Sequence, residues 1–248
     1  MLSSFIVCVL VVSAGAMAVK KPALYAEDVF GISPREGDDE RKPCTIPKYF
    51  TYDQEEVMTT LEGGGLTVEY INFHGAYDEV LQRYSFETFL DFFNGTLLHL
   101  KVIAEYDEGK EYLLQRLGDE IECEVYDLEG KRFPEVYSFP EDAKFLRDST
   151  IGDRDVAVES WYYVSDDGTL LNVKTVTKDE CVPVSLFRRK FDPETGEELG
   201  VMNGQVHNFR LGICDPEGYF KIPEECKEVG VSKELSKNMQ KMRRLSLM

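Results

Sequence analysis

The chain carries six cysteines, whose thiols have the most definite chemistry in the sequence. Cys8 lies in an N-terminal apolar stretch, and five more lie beyond it. Those five are, in chain order, Cys44, Cys123, Cys181, Cys214 and Cys226. In an exported protein, thiols pair and persist as disulfides. Because five is an odd number, at least one of these cysteines must be left over.

The three histidines show no metal-binding spacing. His74, His99 and His207 lie in strand-like runs far apart in the sequence, and we interpret them as structural or surface residues. No G-x-S-x-G motif occurs, and no glycine-rich loop is followed by Lys and Ser or Thr. We therefore predict that the protein is not an enzyme and has no catalytic residue. A hydrolase that uses paired carboxylates is the weaker alternative.

Carboxylates are abundant and give the chain a formal net charge of −18 at pH 7. An acidic surface repels phosphate backbones, which argues against nucleic acid as a partner. The acids cluster in turn-like segments, namely Asp38–Glu40, Asp119–Glu124, Asp166–Asp167, Asp179–Glu180 and Glu194–Glu198. Calcium prefers six to eight oxygen ligands, so acidic loops could supply a calcium cofactor. No cluster fits the EF-hand pattern, and a solvated turn is the alternative for each.

The first 18 residues are typical of a secretory signal peptide. Phe5–Val12 is apolar, and Ala16–Ala18 fits the A-x-A cleavage pattern. The apolar run is shorter than the ~20 residues that a membrane-spanning helix needs, and no second run of that length occurs. We expect a secreted protein without a transmembrane segment. Asn94 begins the only N-x-[ST] sequon and is the candidate glycosylation site.

Short runs rich in β-branched and aromatic residues must position these side chains. The predicted strands are 66–73, 79–86, 88–93, 96–106, 110–117, 120–128, 156–164, 169–177, 182–191 and 204–213. Most are joined by turn signals such as Asn94-Gly95, which tolerates positive φ. The pattern predicts an all-β fold of antiparallel hairpins, a sandwich or a barrel.

The chain divides into a signal peptide (1–18), a flexible leader (19–42), one β domain (43–229) and a basic tail (230–248). Leu235, Met239 and Met242 fall at helical spacing in the tail, with basic residues between them. This predicts a short amphipathic helix over Ser232–Leu247. It packs on the domain, or it contacts a membrane surface or a sulfated polysaccharide.

Six motifs follow one another between residues 42 and 226. They are Lys42–Pro47, Cys123 after a strand, Ser149–Gly152 with Trp161, Asp179–Val184, Phe209–Pro216 and Pro223–Cys226. Together they resemble the ependymin-related family of secreted proteins. The resemblance implies two curved antiparallel sheets, stacked as a half-open sandwich with an apolar pocket, similar to bacterial lipoprotein carriers. It also implies a non-enzymatic glycoprotein, often dimeric, extracellular or lysosomal, associated with calcium and cell–matrix adhesion.

The family pattern, carried onto this sequence, implies the disulfides Cys44–Cys181 and Cys123–Cys226. Cys214 is then the remaining cysteine. We predict that it is unpaired and buried at a strand end, or that it bridges a dimer.

The same resemblance suggests a lipid or another hydrophobic small molecule as the ligand, because aromatic-lined apolar cavities favour such compounds. The candidate pocket residues occupy inward positions of predicted strands: Tyr70, Phe86, Phe89, Phe92, Leu98, Leu100 and Trp161. An ordinary core is the alternative for each of them. We expect a calcium- and lipid-binding protein of the extracellular matrix, and a structural adhesion protein without a pocket ligand is the alternative.

Overall fold

The computed structural model describes residues 41–62, 65–92, 96–118, 120–134, 138–153, 155–227 and 229–232. The strands in these ranges are β1 Tyr49–Glu62, β2 Gly65–Asp78, β3 Arg83–Phe92, β4 Thr96–Glu105, β5 Lys110–Leu117, β6 Glu120–Asp127, β7 Lys144–Ile151, β8 Val156–Val164, β9 Leu170–Thr177, β10 Pro183–Phe191, β11 Glu198–Leu211 and β12 Val231–Ser232. The helices are α1 Pro216–Phe220 and α2 Glu224–Lys227. The signal peptide, most of the leader, Asn94 and the tail from residue 233 lie outside the described residues.

The strands form one sheet in the order β12-β6-β5-β4-β3-β2-β1-β11-β10-β9-β8-β7. Every neighbouring pair is antiparallel except β12, which runs parallel to β6. The prediction of an antiparallel all-β fold is confirmed. The sheet is continuous, in place of the two stacked sheets expected, because β1 pairs with β2 on one side and with β11 on the other along most of its length.

The connection between β6 and β7 shows how this sheet curves. The two strands follow each other in the chain but lie ten strand positions apart in the sheet, which would separate them by about 48 Å if the sheet were flat. The connection packs on the sheet instead: the Phe133 and Tyr77 ring centroids lie 5.1 Å apart, and the Lys174 ammonium donates to the Ser138 carbonyl at 2.7 Å. We call its described parts, 128–134 and 138–143, the crossing loop, and the face that it covers the inner face. Because the loop contacts both halves of the sheet, the sheet curves around it.

Strand alternation divides the residues between the two faces. In β2, Ile71, Phe73 and Tyr77 are buried on the inner face, whereas Asn72 is exposed on the outer face. Gly75 allows one close contact on the inner face, because a Cβ at this position would lie 2.8 Å from the Tyr52 ring.

The largest apolar cluster lies on the inner face of β1–β6, under the crossing loop. Phe50 is fully buried at its centre, with its ring 4.7 Å from that of Phe209. The buried members of this apolar cluster are Phe50, Ile71, Phe73, Tyr77, Tyr84, Phe86, Leu100, Val102, Ala104, Leu113, Tyr126 and Leu128. Edge-to-face and offset aromatic contacts inside it add to the stabilisation from burial.

The two short helices cover part of the outer face. Phe220 of α1 packs with Ile103 of β4 and Tyr112 of β5 in a second cluster. The Asp215 carboxylate accepts a hydrogen bond from the Gly218 amide at 3.0 Å and so caps α1 at its start. These helices lie between residue 213 and Ser232, where the sequence predicted neither a strand nor a helix.

Most predicted strands match observed ones, with two corrections. Residues 79–82 form the turn between β2 and β3, so the predicted strand 79–86 was wrong over these four residues, whereas residues 83–86 belong to β3. The Asp78 carboxylate stabilises this turn by accepting from the Leu81 amide at 3.0 Å and from Arg83 Nε at 3.1 Å. Ser232 belongs to β12 and not to a helix, because residues 231–232 extend the sheet edge beside β6. No helix among the described residues is long and apolar enough to cross a membrane.

Two disulfides join distant parts of the chain, in the pairing that the resemblance implies. The Cα atoms of Cys44 and Cys181 lie 5.8 Å apart, and those of Cys123 and Cys226 lie 5.3 Å apart. Cys214 is a free cysteine. It is exposed, so the expectation that it is buried was wrong. Strand β11 ends at Leu211, and the Ile213 side chain is buried in the core. The side chain of Cys214, the next residue, therefore points towards solvent.

Candidate functional site

The inner face combines the apolar cluster with a buried polar band. We define the polar band as five side chains from β1, β9 and β10, each at most 8% exposed: Gln54, Glu56, Asn172, Lys174 and Arg188. Strand register places them on the same face as the apolar cluster, since Glu56 lies opposite Ile71. Charged side chains are almost never fully buried unless they are paired, so this band marks an unusual surface.

The register of β11 brings the two parts of the polar band together. Gly204 lies between Glu56 of β1 and Leu186 of β10. Because it has no side chain, Gln54 and Glu56 reach over its backbone, and a Cβ on Gly204 would lie 3.5 Å from Glu56 Cγ. Arg188, two residues beyond Leu186, points to the same face.

Hydrogen bonds hold the long side chains of the band in place. Gln54 Nε2 donates to the Glu56 carboxylate. Arg188 Nε donates to Asn172 Oδ1 at 2.9 Å. The Lys174 ammonium, which donates to the crossing loop, also lies 5.3 Å from the centroid of the Tyr163 ring. Each side chain is therefore positioned over the sheet rather than directed to solvent.

Burial sets the protonation state of Glu56 and Lys174, whose pKa values shift by a large amount. It raises the pKa of Glu56 to about 7, against the opposing influence of the Arg188 charge and the Gln54 hydrogen bond. Burial and, to a smaller extent, the like charge of Arg188 together lower the pKa of Lys174 to about 7. The net charge of the band consequently changes close to neutral pH.

Three buried polar atoms on the inner face make no hydrogen bond within the part of the chain that the structure describes. They are Glu56 Oε2, Thr88 Oγ1 and Trp161 Nε1, on residues at most 2% exposed. Trp161 lies directly opposite Lys174 in the pairing of β8 with β9. Buried polar atoms are normally paired, so these three are unusual among the described residues.

A cavity of about 310 Å³ opens beside the polar band. It is lined by residues 43–48, by Tyr77 and Glu79, and by Ser138 and Phe139 of the crossing loop. Ser138 accepts the Lys174 hydrogen bond, and the Phe139 ring lies 6.2 Å from the Trp161 ring. This short segment of the crossing loop therefore separates the cavity from the band.

Four of the predicted pocket residues lie on the inner face. Phe86, Leu98 and Leu100 belong to or pack against the apolar cluster. Trp161 lies in another cluster, where its ring packs edge-to-face against Phe145.

The structure does not bring two other predicted pocket residues, Tyr70 and Phe89, to the inner face. Tyr70 and Phe89 are 56% and 55% exposed, so their assignment to a pocket was wrong. Strand register explains this, since Tyr70 lies opposite Val57 and Phe89 opposite His99, both on the outer face. The side chain of Phe92 lies outside the described residues.

The three histidines lie on the outer face, each beside a carboxylate. The pairs are His74 with Asp53, His99 with Glu87 at 3.1 Å, and His207 with Glu55 at 3.8 Å. His74 and His207 line an open groove of about 550 Å³. The Tyr219 hydroxyl lies 2.8 Å from His74 Nε2. Within the described ranges, no group of three or more His, Cys, Asp or Glu side chains is arranged to hold a metal ion.

The comparison with protein families decides the relationship. Residues 94–226, more than half of the chain, match the model of the Ependymin family. The chain belongs to the ependymin family. No functionally curated protein matches the sequence. Ependymin proteins are a non-enzymatic kind of protein, and the two disulfides are consistent with an oxidising, extracellular environment.

Several solved structures show a distant similarity to this ependymin-family chain. A LolA superfamily protein from Nitrosomonas europaea is 9% identical, with 74% of this chain and 94% of that chain covered and a TM-score of 0.31. An uncharacterised conserved protein from Thermus thermophilus is 12% identical, with coverage of 74% and 91% and a TM-score of 0.37. A putative outer membrane lipoprotein-sorting domain from Vibrio parahaemolyticus is 9% identical, with coverage of 67% and 88% and a TM-score of 0.28.

Proposed function

We propose that this ependymin-family protein is secreted, has no catalytic activity and binds a hydrophobic ligand such as a lipid on its inner face. The observation that carries the proposal is the cavity between residues 43–48 and the crossing loop, beside the apolar cluster. In the described part of the chain this face is covered by the crossing loop and not by a second sheet. Loops open at lower free energy than paired strands do, so the loop is a reasonable entry point for an acyl chain.

Purified protein is expected to carry acyl lipids that organic solvent extracts, and to take up a fluorescent acyl chain. Thr45→Trp adds bulk to an exposed residue that lines the cavity, so it should slow or weaken uptake. Thr150→Trp, on the exposed end of β7, is the matched control and should leave uptake unchanged. If the protein neither carries nor takes up an acyl chain, a structural adhesion protein without a ligand becomes the better description.

Calcium binding and cell–matrix adhesion are further proposals, supported by the family resemblance and the net charge of −18. If calcium binds the folded state, millimolar calcium should raise the melting temperature by mass action. Magnesium at equal concentration is the control for general screening of charge. An unchanged melting temperature would remove a specific calcium site.

A homodimer is a further proposal, supported by an exposed apolar strip on the outer face of β1 and β2. The strip consists of Val57, Leu61, Leu66, Val68 and Tyr70. Contiguous apolar surface of this kind is typical of interaction sites, and sedimentation of the native protein decides whether a second copy covers it. Matrix partners, glycosylation at Asn94 and an extracellular location complete the proposal, whereas a lysosomal location has no support of its own.

A further inference from the structure

Strand β7 forms one of the two outer edges of the sheet. It pairs with β8, and no other backbone segment in the part of the chain that the structure describes bonds to it. Every second residue of β7 therefore directs its N–H and C=O groups away from the sheet. Residues 147–151 are also exposed. An open edge of this kind can accept a further strand.

The first described residue, Arg41, lies beside this edge. Arg41 Nη1 lies 3.3 Å from Asp148 Oδ2, and the guanidinium carbon lies 4.2 Å from the centroid of the Phe145 ring. Both partners belong to β7. Three residues further along the chain, Cys44 is bonded to Cys181. These contacts fix the end of the leader against β7, so the residues that precede Arg41 are joined to the fold at the open edge.

The length and sequence of the leader suit this edge. The eight residues of β7 are about 26 Å long. Residues 23–33 lie between Pro22 and Pro34, contain no proline and include seven apolar residues. Because proline cannot donate to a strand ladder, this stretch is the part of the leader that can pair along its whole length. Residues 34–40 span up to about 23 Å, which is enough for residues 23–33 to lie along β7.

Charge also favours the leader at this edge. Lys144 and Arg147 are exposed on β7, and neither has a carboxylate partner within the described ranges. Residues 38–40, directly before Arg41, are all acidic. Attraction between exposed charges is modest, so it helps to place the leader here, and the strand ladder supplies most of the binding.

We propose that residues 23–33 of the leader pair with β7 as an additional strand and so complete this edge of the sheet. The inference goes beyond the proposed function and does not depend on ligand binding. An open edge strand is a template for pairing with another chain. The leader would therefore protect the secreted protein from edge-to-edge association.

Hydrogen exchange of the complete secreted chain, followed by NMR for each amide of β7, tests the pairing. The amides that point away from β8 should exchange at least about a hundredfold more slowly than an unprotected amide, because a ladder hydrogen bond must open first. Phe30→Pro removes a ladder donor and should raise these rates at least about tenfold. The amides bonded to β8 should stay slow. Glu36→Pro is the matched control and should change neither set, because residue 36 lies outside the pairing segment.

Fast exchange of the outward amides in the unaltered chain would overturn the proposal, and this measurement needs no variant that folds. Slow exchange that persists in Phe30→Pro would overturn it as well. If that protection also increased with protein concentration, a second copy of the chain would be the occupant of the edge.

Discussion

Replacing Cys44 and Cys181 by alanine is expected to lower the free energy of unfolding by roughly 4 kcal/mol. The bond links residues 137 positions apart, and closing a loop of about 100 residues contributes roughly 4.7 kcal/mol in the chain-entropy model. The same bond fixes the segment that carries Ile46 against the cluster around Phe145 and Trp161. Urea unfolding of the native and double-alanine proteins measures the loss.

Two controls separate chain entropy from local contacts. The Cys123–Cys226 bond spans 103 positions, so the model predicts that its removal costs the same within about 0.3 kcal/mol. A larger difference between the two double variants would measure the native contacts that each bond holds. Cys214→Ala changes an exposed free thiol and should shift stability by less than about 0.5 kcal/mol. A loss below about 1 kcal/mol for the Cys44–Cys181 pair would contradict its role as a long-range link.

The hairpins that join β3 to β6 and β8 to β10 were predictable because their information is local. Turn residues such as Gly168, at φ 71°, separate apolar runs, so these hairpins can be predicted from residues that are close in the sequence. The turn at residues 79–82 was missed because its apolar residues, Val80 and Leu81, resemble part of a strand. Both are exposed, and the side chain that stabilises the turn, Asp78, belongs to the preceding strand.

Strand β1 was not predicted, and the reason lies in the polar band. Its inner face begins with Phe50 and Tyr52, as a half-buried strand should, and then continues with Gln54 and Glu56. Two polar residues at inward positions break the alternation on which strand prediction depends. Local rules are expected to fail where a fold carries a functional or strained site, and β1 is one of the strands where they failed here.

The polar band itself could not be found in the sequence, because its members meet only through the strand order of the sheet. Glu56 and Arg188 are 132 positions apart, and β1 and β10 approach each other only because β11 pairs with both. The aromatic residues Tyr70 and Phe89 gave the stronger local signal but lie on the outer face. The series of short strands and turns therefore predicted the right kind of fold, whereas register decides which side chains share a site.

Glu56→Gln is expected to stabilise the protein in mildly alkaline solution and to leave it unchanged in acid. Burial raises the pKa of Glu56 from 4.5 to about 7 in the folded protein. Between these two values the folded state binds more protons than the unfolded chain, so the contribution of Glu56 to stability falls as pH rises. The fall amounts to roughly 3 kcal/mol once the carboxyl is ionised. Glutamine stays neutral and removes this loss.

Lys174 produces the opposite pH dependence of folding stability, so the contributions of Glu56 and Lys174 can be told apart. Its pKa falls from 10.5 to about 7 in the folded protein, so the unfolded chain binds more protons between these values and stability rises with pH there. Because of these two groups, the contribution of the polar band to folding stability is smallest near pH 7. Urea unfolding at pH 5 and pH 8.5 should show a gain of roughly 3 kcal/mol for Glu56→Gln only at the higher pH. Glu55→Gln is the matched control, because Glu55 is exposed on the opposite face of β1. A gain in the free energy of unfolding for Glu55→Gln would contradict the effect of a buried carboxyl at Glu56. An equal gain for Glu56→Gln at both pH values would contradict it as well.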